Sequence, residues 1–432
     1  MTTVAIDAPA RSREDSRITG ADGVRAIAAL MVVLHHLFQR LDMRQQEPWL
    51  QETQRFLMKG SLGVSVFFVL SGLLLSYPFW MAYLGKRAYP SIGHYIRRRA
   101  ARIIPGFYAA LLVSYWVGLH LFPDAPWVQR RLLAGLTFSS GFHWMTFFPT
   151  EANGPLWSIG FEVVSYVLMP LAMLGLFWMG RKRGRAFGWG YWAGVIAVTL
   201  AVNAWILSTL VPAEFGKGWQ YGITGGAKFW MPDYNPVGFF AQFAIGILAA
   251  GFIAQWRTFH DGRRSWAFDG VAAVGFLAAA WLLWVNRFDE DPDLTGTLQN
   301  QPYNYPYFPA LVTVLLGALA FSKVLGRIFD NPFARYTAKI SFGIYIWHYL
   351  ALHLVSAITP FEFFGIGDPI QHLMLSFAVL CISYCLAAVS WHLIEAPFLD
   401  GRWARWTRRA LRRNANRDRR AGTRQHERPA TH

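Results

Sequence analysis

Ten stretches of about 20 mostly apolar residues recur along almost the whole of this 432-residue chain. Each is long enough, as a helix rising about 1.5 Å per residue, to cross the hydrocarbon core of a bilayer. They lie near 20–40, 61–82, 102–122, 155–180, 187–211, 235–256, 267–286, 307–325, 338–360 and 369–393. Lipid offers backbone amides no hydrogen-bond partner, so such segments must close their own bonds as helices. The expected fold is therefore all-α, a polytopic membrane helix bundle with about ten transmembrane helices. The stretch 132–148 is also apolar but shorter. It carries Gly141 and His143, is followed by Pro149, and reads as re-entrant or interfacial. Charged residues make up only 15% of the chain, where soluble domains carry about 25%.

Lysines and arginines fix the expected orientation. With the N-terminus inside and ten spans, the inner segments hold 31 of them and the outer loops 9. An eleventh span at 132–148 would reverse every later loop and spoil that asymmetry. Both termini are thus expected in the cytoplasm. The first seventeen residues lack an apolar h-region, so the first apolar segment reads as a retained helix and not a cleaved leader. The chain divides into an N-terminal tail (1–17), a transmembrane domain (18–400) and a basic tail (401–432).

The net charge of +16 raises the question of a nucleic-acid partner. Eleven of the basic residues follow the last span directly, where an anionic inner leaflet attracts them. No folded reading module is visible, so the expected partner is the lipid bilayer, with no nucleic acid. The two cysteines, Cys381 and Cys385, sit four apart in an apolar run and read as small packing residues. Neither a disulfide framework nor metal-ligand spacing is present, and no metal is expected.

Ionisable groups inside a span are costly and so are functional candidates. Three places qualify. In GADGVRAIAALMVVLHHLFQR, Arg25 and His36 are eleven residues apart, about 20° from whole turns, so they share a face at heights differing by about 16 Å. His35 points elsewhere. Arg25 alone would also suit an arginine snorkelling to headgroups. In GPLWSIGFEVVSYVLMPL, Ser158, Glu162 and Tyr166 form one polar stripe at i, i+4 and i+8. Glu162 lies about 10 Å and His36 about 6 Å below the same boundary, so the two can meet. An imidazole beside a carboxylate is a general-base arrangement. At YIRRRAARIIPGFY, the arginines Arg98, Arg99 and Arg102 suit a polyanionic ligand, and equally a positive-inside anchor. His348 is either a proton relay or a bonded core histidine. Gly63 and Gly72 read as helix-packing sites, and Glu395 with Pro397 as shaping the exit of the last span.

Taken in order, these segments resemble the acyltransferase 3 family of integral membrane O-acyltransferases over roughly residues 18–400. The opening is similar to the family pattern of a basic residue, ten residues and a histidine, which selects Arg25 and His36. GVSVFFVLSGLLLS resembles the second-helix motif, with Ser65 where an acidic residue is frequent. RRRAARIIP matches an Arg-x-x-Arg element at Arg99 and Arg102. GPLWSIGFEVVSYVL is similar to LWSLSVEEQFYLL, with Glu162 at the first glutamate, Val163 at the second and Tyr166 at the tyrosine. SFGIYIWH and WHLIEAPF look like the closing motifs. Many members carry a fused extracytoplasmic domain, and this chain resembles the form without one.

The resemblance implies transfer of an acyl group, commonly acetyl, from acyl-CoA to a carbohydrate hydroxyl, on a glycan or lipid-linked saccharide beyond the cytoplasmic (inner) membrane of a bacterium. Acyl-CoA would be a co-substrate, with no permanently bound cofactor. His36 supported by Glu162 would be catalytic. Arg25, Arg98, Arg99 and Arg102 would hold the donor, and Trp157, Ser158, Tyr166 and His348 the acceptor side. Homo-oligomerisation stays open. The alternatives are a proton-coupled small-molecule transporter, which also uses buried His and Glu, and a non-catalytic component of a glycan synthesis complex.

Overall fold

The computed structural model describes residues 17–180, 182–288, 303–359 and 364–401. The tails expected at 1–17 and 401–432 lie outside the described residues, save Arg17 and Gly401. Among the described residues the chain is helical and has no strand. The elements are α1 (Ala21–Phe38), α2 (Pro48–Met58), α3 (Gly63–Tyr83), α4 (Ile92–Leu121), α5 (Val128–Leu136), α6 (Trp157–Gly180), α7 (Gly184–Thr209), α8 (Gly222–Trp230), α9 (Pro236–Phe259), α10 (Trp266–Val285), α11 (Tyr307–Leu319), α12 (Leu325–Phe329), α13 (Pro332–Ile358), α14 (Pro369–Ser390) and α15 (Ala396–Leu399). A single π-helical turn, Trp391–Glu395, joins the last two.

Nine helical segments among the described residues are long and apolar enough to cross a membrane, and the protein is a polytopic membrane helix bundle. The expected eighth span is shorter than its sequence suggests. α11 has 13 residues, about 20 Å of helix. The apolar run continues, but the chain turns because Asp269 on α10 gathers the amides of Lys323, Val324 and Leu325 at 2.8–3.0 Å. The stretch 132–148 forms no crossing helix: α5 ends at Leu136 and a 3-10 turn follows at Ser140–Phe142.

The centre of the bundle is α3 against α9. Glycine makes their closeness possible, since a Cβ on Gly72 would stand 2.0 Å from the Phe243 carbonyl oxygen. One on Gly246 would stand 2.1 Å from that of Val69. Gly63 meets α1 in the same way, 2.5 Å from the Ala28 oxygen, so both expected packing glycines do pack. At the perimeter, Trp178, Trp205, Trp281 and Phe377 are exposed, an outward apolar surface suited to lipid and not to water. The two cysteines belong to this surface. α14 turns His372, Leu375, Val379, Ser383 and Ala387 inward, so Cys381 and Cys385 are exposed on its opposite side and are not packing residues.

α4 begins ten residues before the expected span. The Ser91 side chain accepts from the His94 amide at its start, and the arginines are therefore helical residues with fixed azimuths.

Candidate active site

Two chambers lie inside the bundle, toward opposite ends of α1. The first, about 280 Å³, is lined by Arg25 of α1, Ser71 of α3, Arg99 and Arg102 of α4, Ser158, Glu162 and Tyr166 of α6, and Tyr345 of α13. Arg99, Arg102 and Ile103 share one face of α4 by their i, i+3, i+4 spacing. Arg98 is rotated about 100° from Arg99, is exposed and is absent from this wall. The structure thus separates it from the other three arginines.

Within this arginine chamber the expected stripe on α6 is intact. Glu162 accepts from the Ser71 hydroxyl at 2.8 Å and from the Tyr166 hydroxyl. Arg102 pairs at 3.2 Å with Glu395, which is fully buried and also accepts from Ser390 at 3.2 Å. Its guanidinium lies 4.9 Å from the centre of the Trp391 ring. Arg25 and Arg99 have no ion pair or hydrogen bond from their side chains among the described residues. Two guanidinium groups without an ion pair, in a chamber whose wall also holds Glu162, suit an anionic ligand.

The second chamber, about 600 Å³, is lined by His36, Gln39, Gln54, Glu151 and His353 among aromatic walls that include Trp157, Trp219, Trp230, Tyr303 and Tyr349. Nδ1 of His36 lies 2.9 Å from the Val32 carbonyl oxygen. A carbonyl only accepts, so Nδ1 carries the proton and Nε2 the lone pair. Nδ1 of His348 likewise faces the Tyr345 carbonyl at 2.7 Å, which leaves its Nε2 to accept from His36 Nδ1 at 3.1 Å. The Val32 carbonyl and His348 thus share the one Nδ1 proton of His36, and together they select the tautomer that presents Nε2 as a base. His35, expected to point elsewhere, also borders this chamber, with Nδ1 on the Met58 carbonyl and Nε2 accepting from Gln39 at 3.1 Å.

His36 and Glu162 are not brought together: the histidine bonds Val32 and His348, and the carboxylate bonds Ser71 and Tyr166, in different chambers. Helical spacing set their heights but not the azimuth of α6. Consecutive residues of that helix serve both sides. Trp157 lines the histidine chamber, stacked 5.4 Å from Phe147, whereas Ser158 lines the arginine chamber.

Val64 and Tyr345 line both chambers and form the wall between them. The Tyr345 hydroxyl donates to the Pro155 carbonyl at 2.8 Å, so the Ser158 hydroxyl is the donor in their 2.6 Å contact. Sequence reasoning gave no role to Tyr345, Gln54, Glu151 or Arg131. Gln54 and Arg131 sit in polar runs (QETQR and QRR) that single out neither, and Tyr345 and Glu151 carry no sequence signal of which helix they meet.

The fold and these chambers define a polytopic membrane protein with polar sites enclosed in the bundle, one suited to an anion and one carrying a poised imidazole. A family model described as an acyltransferase domain (Acyl_transf_3) matches residues 18–389. The chain belongs to the acyltransferase 3 family, as its motifs led us to expect. It is similar to "Putative peptidoglycan O-acetyltransferase YrhL" of Bacillus subtilis (strain 168), with 24% identity over 409 residues, 91% of this chain and 57% of that protein. "Putative O-acetyltransferase SACOL0978" of Staphylococcus aureus (strain COL) is 23% identical over 401 residues, 88% of this chain and 57% of that one. "Nodulation protein 10" of Rhizobium leguminosarum bv. viciae is 24% identical over 421 residues, 93% of this chain and 98% of its own length. The chain thus spans little more than half the length of the first two relatives. No solved structure matches it.

Proposed function

We propose that this chain is a membrane-bound O-acyltransferase that moves an acyl group, in the simplest case acetyl, from cytoplasmic acyl-CoA to a hydroxyl of an extracytoplasmic or lipid-linked glycan, such as an envelope polysaccharide or lipopolysaccharide. The observation that carries this reading is the pair of chambers meeting at Val64 and Tyr345, arginines in one and His36 in the other. The positive-inside asymmetry supports a cytoplasmic position for the arginine chamber and both termini, in this reading at a bacterial inner membrane. Arg25 and Arg99 would hold the phosphates of the donor. Arg102, already neutralised by Glu395, would contribute less charge and more alignment.

His36 Nε2 removes the proton of the acceptor hydroxyl as its oxygen bonds to the thioester carbonyl carbon. The carbon–sulfur bond breaks, and the CoA thiolate leaves with the proton that the imidazole took up. His348 orients His36 in place of the expected carboxylate. Glu162, held by Ser71 and Tyr166, belongs to the donor side. The experiment is to reconstitute the full chain in proteoliposomes with radiolabelled acetyl-CoA and an envelope-glycan extract. Label moving to glycan with stoichiometric CoA release supports transfer. Solute counterflow without CoA release would replace this reading with a transporter. Mass spectrometry of envelope glycans with and without the gene identifies the acceptor.

A further inference from the structure

The two chambers have opposite hydrogen-bonding character. Three arginines line the first, whereas no lysine or arginine lines the second among the described residues. Hydroxyls of Ser61, Tyr303 and Tyr349 also line the second, but the side chains that its surroundings hold in one orientation offer lone pairs. Gln54 is 2% exposed, and its amide nitrogen donates at 2.9 Å to both the Phe38 and Leu41 carbonyls. That pair of acceptors fixes which way the amide faces, and its Oε1 is buried with no partner among the described residues. Leaving such an oxygen unmatched costs about 1–3 kcal/mol, an arrangement that makes sense when a ligand brings the donor.

Glu151 is set up in a similar way. Its Oε2 receives Nη1 of the buried Arg131 at 2.5 Å, and Nε of that arginine is tied to the Phe148 carbonyl at 2.8 Å. The carboxylate is held in one orientation in the chamber wall, and Oε1 has no protein donor among the described residues. With the lone pair on His36 Nε2, three hydrogen-bond acceptors belong to one chamber. Among them stands the half-exposed indole of Trp219, at 88° to Trp230 with centroids 5.6 Å apart, while Trp157 and Trp230 each have one face stacked on protein, on Phe147 and Tyr234.

We infer that this chamber takes the acceptor as an uncharged, polyhydroxylated sugar ring, recognised by Glu151 and Gln54 through its hydroxyl protons and by the tryptophans through its C–H face. The inference rests on the function proposed above and narrows it. A phosphate or a uronic acid sets its own acceptor oxygens against Oε1 of Glu151; Arg131 balances that carboxylate's charge at Oε2, but two acceptor oxygens without a proton between them repel. A linear polyol supplies hydroxyls but no flat face for an indole.

The test uses the purified full chain in nanodiscs with acetyl-CoA and octyl glycosides of glucose, galactose and N-acetylglucosamine, beside octyl glucuronide and galacturonide. Binding of radiolabelled acetyl-CoA without added acceptor reads the donor side alone. At least one neutral glycoside is expected to be acetylated with kcat/KM about ten-fold or more above its uronide counterpart. Glu151→Gln keeps an oxygen for Arg131 and removes the charge. It is expected to cut that discrimination about ten-fold and raise KM for the neutral glycoside, with KM for acetyl-CoA unchanged. Gln54→Met is expected to raise acceptor KM alone.

Equal or better use of the uronides would overturn the inference. So would a Glu151→Gln enzyme that discriminates as before, or one whose donor and acceptor KM rise together, the mark of a purely structural ion pair. Acetyl-CoA binding with no glycoside acetylated also overturns it while leaving the donor site standing. Absence of acetyl-CoA binding removes the underlying function as well.

Discussion

Nε2 of His348 lies 3.1 Å from Nδ1 of His36, on a different helix and 312 residues away in sequence. The contact turns a buried histidine into the group that orients another. Replacing His348 with Ala is expected to lower kcat at least ten-fold, roughly the cost of losing a partner that orients a histidine, with donor KM unchanged. His348→Gln is expected to recover part of the loss, since its amide oxygen can accept the same N–H. Steady-state kinetics of acetyl transfer in membranes checks both.

His36→Ala removes the proposed base itself. Transfer is expected to fall by about 10²–10⁴-fold, with expression and thermal stability close to wild type because the side chain is only part-buried in a chamber wall. Activity at the wild-type level with normal expression would remove His36 from the chemistry.

Arg98 and Arg99 are neighbours in sequence with opposite surroundings, one exposed and one in the chamber wall. Arg99→Ala is expected to raise KM for acetyl-CoA about ten-fold, a typical loss for one charge-assisted contact. Arg98→Ala is expected to leave it within about two-fold, as for a surface charge. Donor titration of the two variants side by side gives the answer.

Glu395 is fully buried and holds Arg102. Glu395→Ala leaves that guanidinium without its carboxylate, a change expected to cost about 3 kcal/mol. The thermal midpoint in detergent should drop, and donor affinity should change as Arg102 finds a new partner. Glu395→Ala combined with Arg102→Met is expected to recover stability but not donor binding.

At Gly72 an added methyl would run into the Phe243 carbonyl, and backbone cannot step aside as a side chain can. Gly72→Ala is expected to destabilise the bundle by about 2–3 kcal/mol. Gly190→Ala, with nothing within 4 Å of the new carbon, should be silent. Thermal unfolding followed by fluorescence separates them.

Most of the fold was legible because each apolar block is its own element, and lipid leaves such a block no structure but a helix. Boundaries were legible only where polarity changes with structure. α4 starts ten residues early because its first turns carry Arg97, Arg98 and Arg99, which hydropathy assigns to a loop although their backbone is helical. α11 stops early for the converse reason, an apolar run bent by a carboxylate on a neighbouring helix. At the site, one helix could be read well: Arg25 with His36, and Ser158 with Glu162 and Tyr166. Relations between helices could not. That His36 meets His348 and Glu162 meets Ser71 depends on how α1, α3, α6 and α13 are rotated, which no single helix encodes.

The wall shared by the two chambers has a consequence for the membrane around it. Val64 offers no proton a path, and the hydroxyl of Tyr345 is committed to a backbone carbonyl. Moving one elementary charge across a membrane is worth about 2.3 kcal/mol per 100 mV, so in the proposed transfer an uncharged acyl group would pass between these two side chains while they offer that potential no proton relay.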